Sequence, residues 1–223
     1  MKHDSFNESI EMYLKTLGEL APAGADVAIS ALARRLGVST VSATEMVHRL
    51  EDQGLVTHTP YKGVRLTAEG SSFATRVKRS HQLWERFLAD QLGLPWESVH
   101  DLACMLEHAT EDVVTEALAA HLGHPKTCPH GNPIPALDGS VEEPDVVPLH
   151  ELAAGEAATI RAVRPESSQL LEHLAQYHLF PGKTVHVLEI APFNGPFVLA
   201  VGAETHPVGR EVAGHIYVER MAA

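Results

Sequence analysis

The chain has 223 residues, 44% hydrophobic and 21% charged, which excludes a disordered, collagen-like or coiled-coil protein and leaves room for one to three domains with buried cores. Two cysteines are too few for a disulfide scaffold, and no apolar run reaches the ~18 residues of a membrane span, so with a polar start from Met1 to Glu11 a cytoplasmic chain with reduced thiols is expected. The formal net charge of −12 argues against nucleic acid only until it is divided: residues 1–79 carry ten Lys+Arg against nine Asp+Glu, and residues 80–223 carry seven against twenty. The first third is therefore free to meet phosphate. The acidic remainder, in a chain with 15 histidines, suits divalent cations.

The first element, Ser9 to Glu19, places Ile10, Tyr13, Leu14 and Leu17 at helical spacing, and Pro22 and Gly24 end it. Ile29, Leu32, Ala33 and Leu36 mark a second helix, followed by a break at Gly37-Val38. Ser39 is a plausible N-cap for a third helix with Val41, Met46, Val47 and Leu50 inside and Gln53-Gly54 as its stop. Leu55–Thr57 and Val64–Leu66 read as a hairpin around Pro60-Tyr61-Lys62-Gly63.

Helix, turn, helix and a basic hairpin form a winged helix-turn-helix pattern. Ser39, Thr40, Ser42 and Thr44 are small polar residues suited to close approach to phosphates and base edges. Arg49 lies further along that helix, and Lys62 and Arg65 lie on the wing. The alternative is a helical hairpin used for protein contacts.

Residues 68–92 read as one long helix, with further helices over 96–109 and 111–122. Residues 123–148 are rich in Pro and Gly and read as a linker or ordered loop. Within that loop Cys128-Pro129-His130 is a lone Cys-x-His pair and reads as loop, not as a metal site. Strand-length alternations over 157–163, 185–190, 197–201 and 215–219, with a short helix over 168–175, suggest a small SH3-like barrel of five or so strands.

His81 and Glu85 share one helix face, and His100, Cys104, Glu107 and His108 form a stripe on the next helix. Burying imidazole, thiol and carboxylate groups without partners is costly, and one class of ligand, a divalent cation, satisfies them together.

These residues also carry a resemblance. His81-Gln-Leu-Trp-Glu85-Arg and Val99-His100-Asp-Leu-Ala-Cys104-Met-Leu-Glu107-His108 resemble the metal-binding helices of the DtxR/MntR family of metal-dependent transcriptional repressors. The likeness extends to Glu11-Met12-Tyr13-Leu14, Val38-Ser39, Met46 to Leu50, Gly54-Leu55-Val56, Tyr61-Lys62-Gly63 and Gly131-Asn132-Pro133-Ile134-Pro135.

The resemblance implies two metal sites per subunit. One uses Met12, Cys104, Glu107 and His108. The other uses His81, Glu85 and His100, completed by Glu166 and Gln169, whose spacing also fits a plain polar helix start. Cys104 and Met12 resemble the iron-responsive branch, so Fe²⁺ or Mn²⁺ is the expected corepressor, and other divalent transition metals are expected to bind in vitro. Glu45 stands where the family's iron repressor has a base-reading Gln, and is either a reader of cytosine or a solvent-facing charge.

The expected architecture is mainly α with a small β domain. A winged helix-turn-helix DNA-binding domain covers 1–73, a helical metal-binding and dimerisation domain 74–140, a linker 141–150 and an SH3-like, FeoA-like domain 151–223. The expected partners are an inverted-repeat DNA operator and a second copy of the chain, with no membrane and no small-molecule substrate. Trp84, Phe87, Leu88, Leu102 and Leu106 belong either to the dimer interface or to the domain's own core. The competing classes are a metallohydrolase using the His/Glu/Cys cluster and a winged-helix protein without a metal response.

Overall fold

The computed structural model describes residues 5–21 and 24–221, so the expected helix stop at Pro22 lies outside the described residues. The chain forms two compact units. The first comprises the residues up to His81 with Met105–Thr115 and Pro135–Ser140; the second comprises Gln82–Cys104, Glu116–Ile134 and the chain from Val141 onward.

In the first unit, α1 (Ser5–Leu20) buries Ile10, Tyr13, Leu14 and Leu17 along one face. Helix α2 (Ile29–Leu36) ends where Gly37 adopts a left-handed φ of 69° and its N–H caps Arg34 O. Helix α3 (Thr40–Asp52) starts at Ser39, whose hydroxyl accepts from the Ser42 N–H, and buries Ala43, Val47 and Leu50. Strands β1 (Val56–Thr59) and β2 (Gly63–Leu66) pair antiparallel from Val56↔Leu66 to Thr59↔Gly63. Val27 exchanges backbone hydrogen bonds with Val64 and closes the hairpin onto the start of α2. Leu14, Leu17, Leu32, Val47, Leu50 and Val64 are fully or almost fully buried in one core, so α1, α2, α3 and the hairpin form a winged helix-turn-helix.

Three helices follow: α4 (Ala68–Asp90), α5 (Val99–Glu107) and α6 (Asp112–His121). In the second unit Leu83, Leu118, Ala119 and Ile134 make a small core, against which Trp84, Phe87 and Leu122 pack. Trp84 and Phe87 are partly buried against this core, and Leu88 is buried.

The rest of the second unit is a six-stranded antiparallel sheet in the order β3-β8-β4-β5-β6-β7. The strands are β3 (Val147–Pro148), β4 (Ala157–Val163), β5 (Thr184–Ile190), β6 (Phe197–Val201), β7 (Glu204–Val208) and β8 (Ile216–Arg220). Helix α7 (Ser168–Gln176) follows β4, and a short α8 (Arg210–Ala213) precedes β8. Strands β3 and β7 have no counterpart in the alternation pattern. They are the two edges, and each holds a proline, Pro148 and Pro207, that an edge strand tolerates and a central one does not. The sheet begins at Val147, inside the segment expected as linker, and Leu149 is fully buried.

The Pro/Gly-rich stretch is an ordered loop. Cys128 N–H donates to Asn132 O, Gly131 N–H to Cys128 O and Ile134 N–H to Lys126 O. The Val163 N–H donates to His130 O and joins the loop to β4. Gly131 makes that approach possible: its φ is +83°, and a Cβ there would lie 1.8 Å from Arg161 O. Gly131→Ala should therefore push the loop off β4 and lower stability by more than ~1 kcal/mol, read as a lower midpoint in urea denaturation. An unchanged midpoint would contradict this account of the loop.

Candidate metal centre

The first unit collects charged groups behind the buried face of α1. Glu11, Met12 and Lys15 lie on α1, His81 on α4, and Glu107 and His108 at the end of α5. The Glu107 side chain is completely buried. Its two oxygens accept from Lys15 Nζ at 2.8 and 3.0 Å, and Oε2 lies 2.5 Å from His81 Nδ1. Burial raises the Glu107 pKa, but the hydrogen bond and charge of His81 and the Lys15 ammonium outweigh it and hold the carboxyl below its usual range. His108 spans two carboxylates, with Nδ1 2.5 Å from Glu11 and Nε2 3.4 Å from Glu107. Burial lowers its pKa, yet the Glu11 hydrogen bond and the charges of Glu107, Glu11 and Glu8 raise it overall. Here Lys15 and imidazolium protons balance a carboxylate group that a divalent cation can also balance.

The second unit builds a denser cluster. Glu85 on α4, Cys128 and His130 in the loop, and Glu166 before α7 each offer a ligand atom, and these atoms lie within 4.8 Å of one another. His100 on α5 joins them, with Nδ1 3.0 Å from Glu85 Oε1 and 3.2 Å from Glu166 Oε2. Cys104 Sγ lies 4.0 Å from His100 Nε2.

The surroundings aim these groups. His130 Nε2 donates to Trp96 O at 2.7 Å, which fixes the tautomer and turns Nδ1 toward Glu85 and Glu166 at 3.4 and 3.8 Å. The Asn132 amide donates to Glu166 Oε1 and to Val163 O, and Arg164 Nε donates to Asn132 Oδ1 at 2.5 Å. A chain of hydrogen bonds thus holds the carboxylate in place.

Burial works against a charged His100, but hydrogen bonds with Cys104, Glu166 and Glu85 and the Glu166 charge push its pKa up to about 12. Burial also opposes charge on His130, and Glu85, Glu166 and Trp96 O raise its pKa nevertheless. The Cys128 thiol is pushed well up by burial and by the two carboxylates. Two imidazoles, a thiol and two carboxylates with oriented imidazole and carboxylate groups match the donor chemistry of a divalent transition metal.

The family domain described as "Iron dependent repressor, N-terminal DNA binding domain" matches residues 5–64, and "Iron dependent repressor, metal binding and dimerisation domain" matches residues 67–136. The chain belongs to the iron-dependent repressor family. A FeoA domain matches residues 147–220, in agreement with the small sheet domain. The chain is 32% identical over 226 residues to the iron-dependent repressor IdeR of Mycobacterium leprae, covering 96% of this chain and 98% of that protein. A solved manganese-dependent transcriptional repressor in complex with manganese matches with a TM-score of 0.87 at 33% identity, over 95% of this chain and all of that one. ScaR with bound Cd²⁺ matches with a TM-score of 0.81 at 31% identity, over 95% of this chain and 99% of that one. The family is one of DNA-binding transcriptional repressors and not of enzymes.

Seen as an iron-dependent repressor, the chain distributes its expected site residues over both units. His81, Glu107, His108 and the half-buried Met12 fall in the first; Glu85, His100, Cys104, Glu166 and Gln169 fall in the second. Gln169 is exposed on α7 and makes no hydrogen bond to the cluster. Cys128 and His130 join Glu85 and Glu166, although sequence reading set their loop aside. Their Cys-x-His spacing was the available signal, and only the fold supplies the two carboxylates that complete it. Lys15 carried no such signal, because its neighbours lie 66 and 92 residues away in the chain.

Of the expected DNA contacts, Ser39, Thr40, Ser42, Glu45 and Arg49 are exposed on or just before α3, and Thr44 donates its hydroxyl to Thr40 O. Lys62 is exposed on the wing. Arg65 is held by both oxygens of Asp26 at 3.1 and 3.2 Å, which directs it to the protein as well as to solvent.

Two outcomes test this geometry. Asn132→Ala should weaken Co²⁺ or Mn²⁺ binding by about 10–100-fold in calorimetric titration, as expected when an orienting partner of a ligand is removed. Lys15→Met should destabilise the metal-free chain on the order of 3 kcal/mol by leaving Glu107 short of a cation, and should enlarge the rise in Tm on adding Mn²⁺. A metal-induced rise no larger than that of the unaltered protein would mean Lys15 does not stand in for the metal.

Proposed function

We propose that this chain is a homodimeric transcriptional repressor that binds an inverted-repeat operator when loaded with Fe²⁺ or Mn²⁺. The observation that carries this reading is the double use of α1. One face of the helix, Ile10, Tyr13, Leu14 and Leu17, is core of the winged helix-turn-helix. Its other side holds Glu11 against His108 and Lys15 against His81 and Glu107. Met12, Glu107 and His108 of the first unit would hold a cation, with Lys15 released from Glu107 and α1 fixed in position. The core then transmits that position to α2 and α3.

The same reading assigns Glu85, His100 and Glu166 to a second site within the second unit, extended by Cys128 and His130, with Gln169 as a further donor. When bound, the metal supplies a fixed positive charge and directed coordination bonds. The chain's own residues supply the rest: Trp96 O and Asn132 orient the ligands. Thiol and thioether donors favour Fe²⁺ over Mn²⁺, while the carboxylates keep Mn²⁺ competent. Ser39, Thr40, Ser42, Thr44, Glu45, Arg49, Lys62 and Arg65 would face DNA, with two recognition helices spaced by the dimer to read successive half-sites. The three-domain division with boundaries near 73, 140 and 150 belongs to the same proposal.

The metal acts as corepressor by binding the DNA-competent state more tightly than the other state, and DNA must tighten metal binding in return. Fluorescence anisotropy with operator DNA should show at least about tenfold tighter binding with Fe²⁺ or Mn²⁺ than with chelator, a coupling of about 1.4 kcal/mol. Glu107→Gln should remove most of that gain. Equal affinity with metal and with chelator would overturn the reading.

The pH dependence has a definite sign. His100, His130 and Cys128 hold protons more firmly than free side chains, and a metal must displace them. Metal addition should release protons in an unbuffered titration, and metal-stimulated DNA binding should weaken as pH falls. Binding that strengthened on acidification would contradict the ligand set.

A further inference from the structure

The winged unit carries another set of metal-type donors, separate from α1. His48 and Glu51 lie three residues apart on the last turn of α3, and His58 lies on β1. One ligand atom from each lies within 4.8 Å of the other two. The His48 and His58 rings meet edge to face with centroids 5.6 Å apart, and His48 Nδ1 lies 3.8 Å from Glu51 Oε2.

The fold holds this arrangement. The Leu55 N–H donates to Leu50 O and fixes the reversal from α3 to β1. The His58 N–H donates to Glu51 Oε1 at 2.9 Å, which orients the carboxylate and leaves Oε2 beside the two rings. Main-chain hydrogen bonds of this kind orient metal-binding carboxylates. The hairpin register, with His58 opposite Val64, sets His58 beside the helix end.

From this geometry we propose that His48, Glu51 and His58 form a surface site for a borderline divalent cation of the Zn²⁺ class. Two imidazoles and one carboxylate are the protein ligands of an open tetrahedral zinc site, with water completing the shell. Bonds of about 2.0–2.1 Å in tetrahedral geometry require donor separations of roughly 3.3 Å, and the donors here already lie within 4.8 Å of one another. The affinity order for such donors places Zn²⁺, Ni²⁺ and Cu²⁺ ahead of Mn²⁺ and Fe²⁺. The same order holds at the corepressor ligands, so the site is recognised by the one additional Zn²⁺ it binds and not by its choice of metal. Occupied, it clamps the end of the recognition helix to the first strand of the wing.

The test uses the full chain near neutral pH. Equilibrium dialysis against micromolar Zn²⁺ should give one fewer bound ion per chain for His48→Gln/His58→Gln than for the unaltered protein. His48 is exposed and His58 half-exposed, neither in the core, so far-UV circular dichroism and metal-free Tm should change little. In the unaltered protein, ring-nitrogen NMR signals of His48 and His58 should shift on addition of Zn²⁺. Equal stoichiometry in the two proteins, or ring signals that Zn²⁺ leaves in place, would overturn the proposal. The ring signals decide the matter even if the double variant folds poorly. Neither readout involves DNA, so a failure here is separable from a failure of the repressor reading.

Discussion

A carboxylate with no exposed surface must be given a positive partner, and this chain buries two on neighbouring helices. Glu107 and Glu85 both have fully buried side chains. An unpaired ion in such a place is costly by several kcal/mol. The charge is met by Lys15, His81 and His108 around Glu107, and by His100 and His130 around Glu85. Each carboxylate is thus paired within the chain, by groups that on the proposed reading a metal would replace.

That exchange is what makes a sensor. A site satisfied only by metal would leave the chain unfolded when metal is scarce, as in small zinc domains. A site satisfied permanently by lysine and arginine would never respond. Here the balancing charges are imidazolium protons and the Lys15 ammonium, which on the proposed reading a divalent cation would replace. Because Lys15 lies on the same helix as Leu14 and Leu17, its release from Glu107 would act on the helix that underlies the DNA reader.

Much of this was legible in residue order. The helical spacing of Ile10, Leu14 and Leu17, the Ser39 cap and the basic wing define the winged helix, because local propensities and short-range capping act within a few residues. The stripe His100, Cys104, Glu107 was visible for the same reason. The two edge strands were not, since Pro148 and Pro207 break the alternation that marks a strand, and only their place at the rim of the sheet explains them. The Cys128-Pro-His130 loop looked incomplete as a metal pair because its carboxylate partners, Glu85 and Glu166, lie 43 and 38 positions from Cys128 along the chain.

The division of charge sharpens in the same way. The sequence by itself determined that the acidity sits after residue 79 and that ligand-type residues recur at helical spacing, since both are properties of neighbours along the chain. It also determined the family, through motifs spread over the reader and the metal helices. The tertiary structure alone decided which acids are buried, that a lysine from the first helix neutralises one of them, and that a glycine-enabled loop delivers a thiol and an imidazole to the other. Those outcomes depend on close approach between segments far apart in sequence, where desolvation makes each charge choose a partner that no local pattern records.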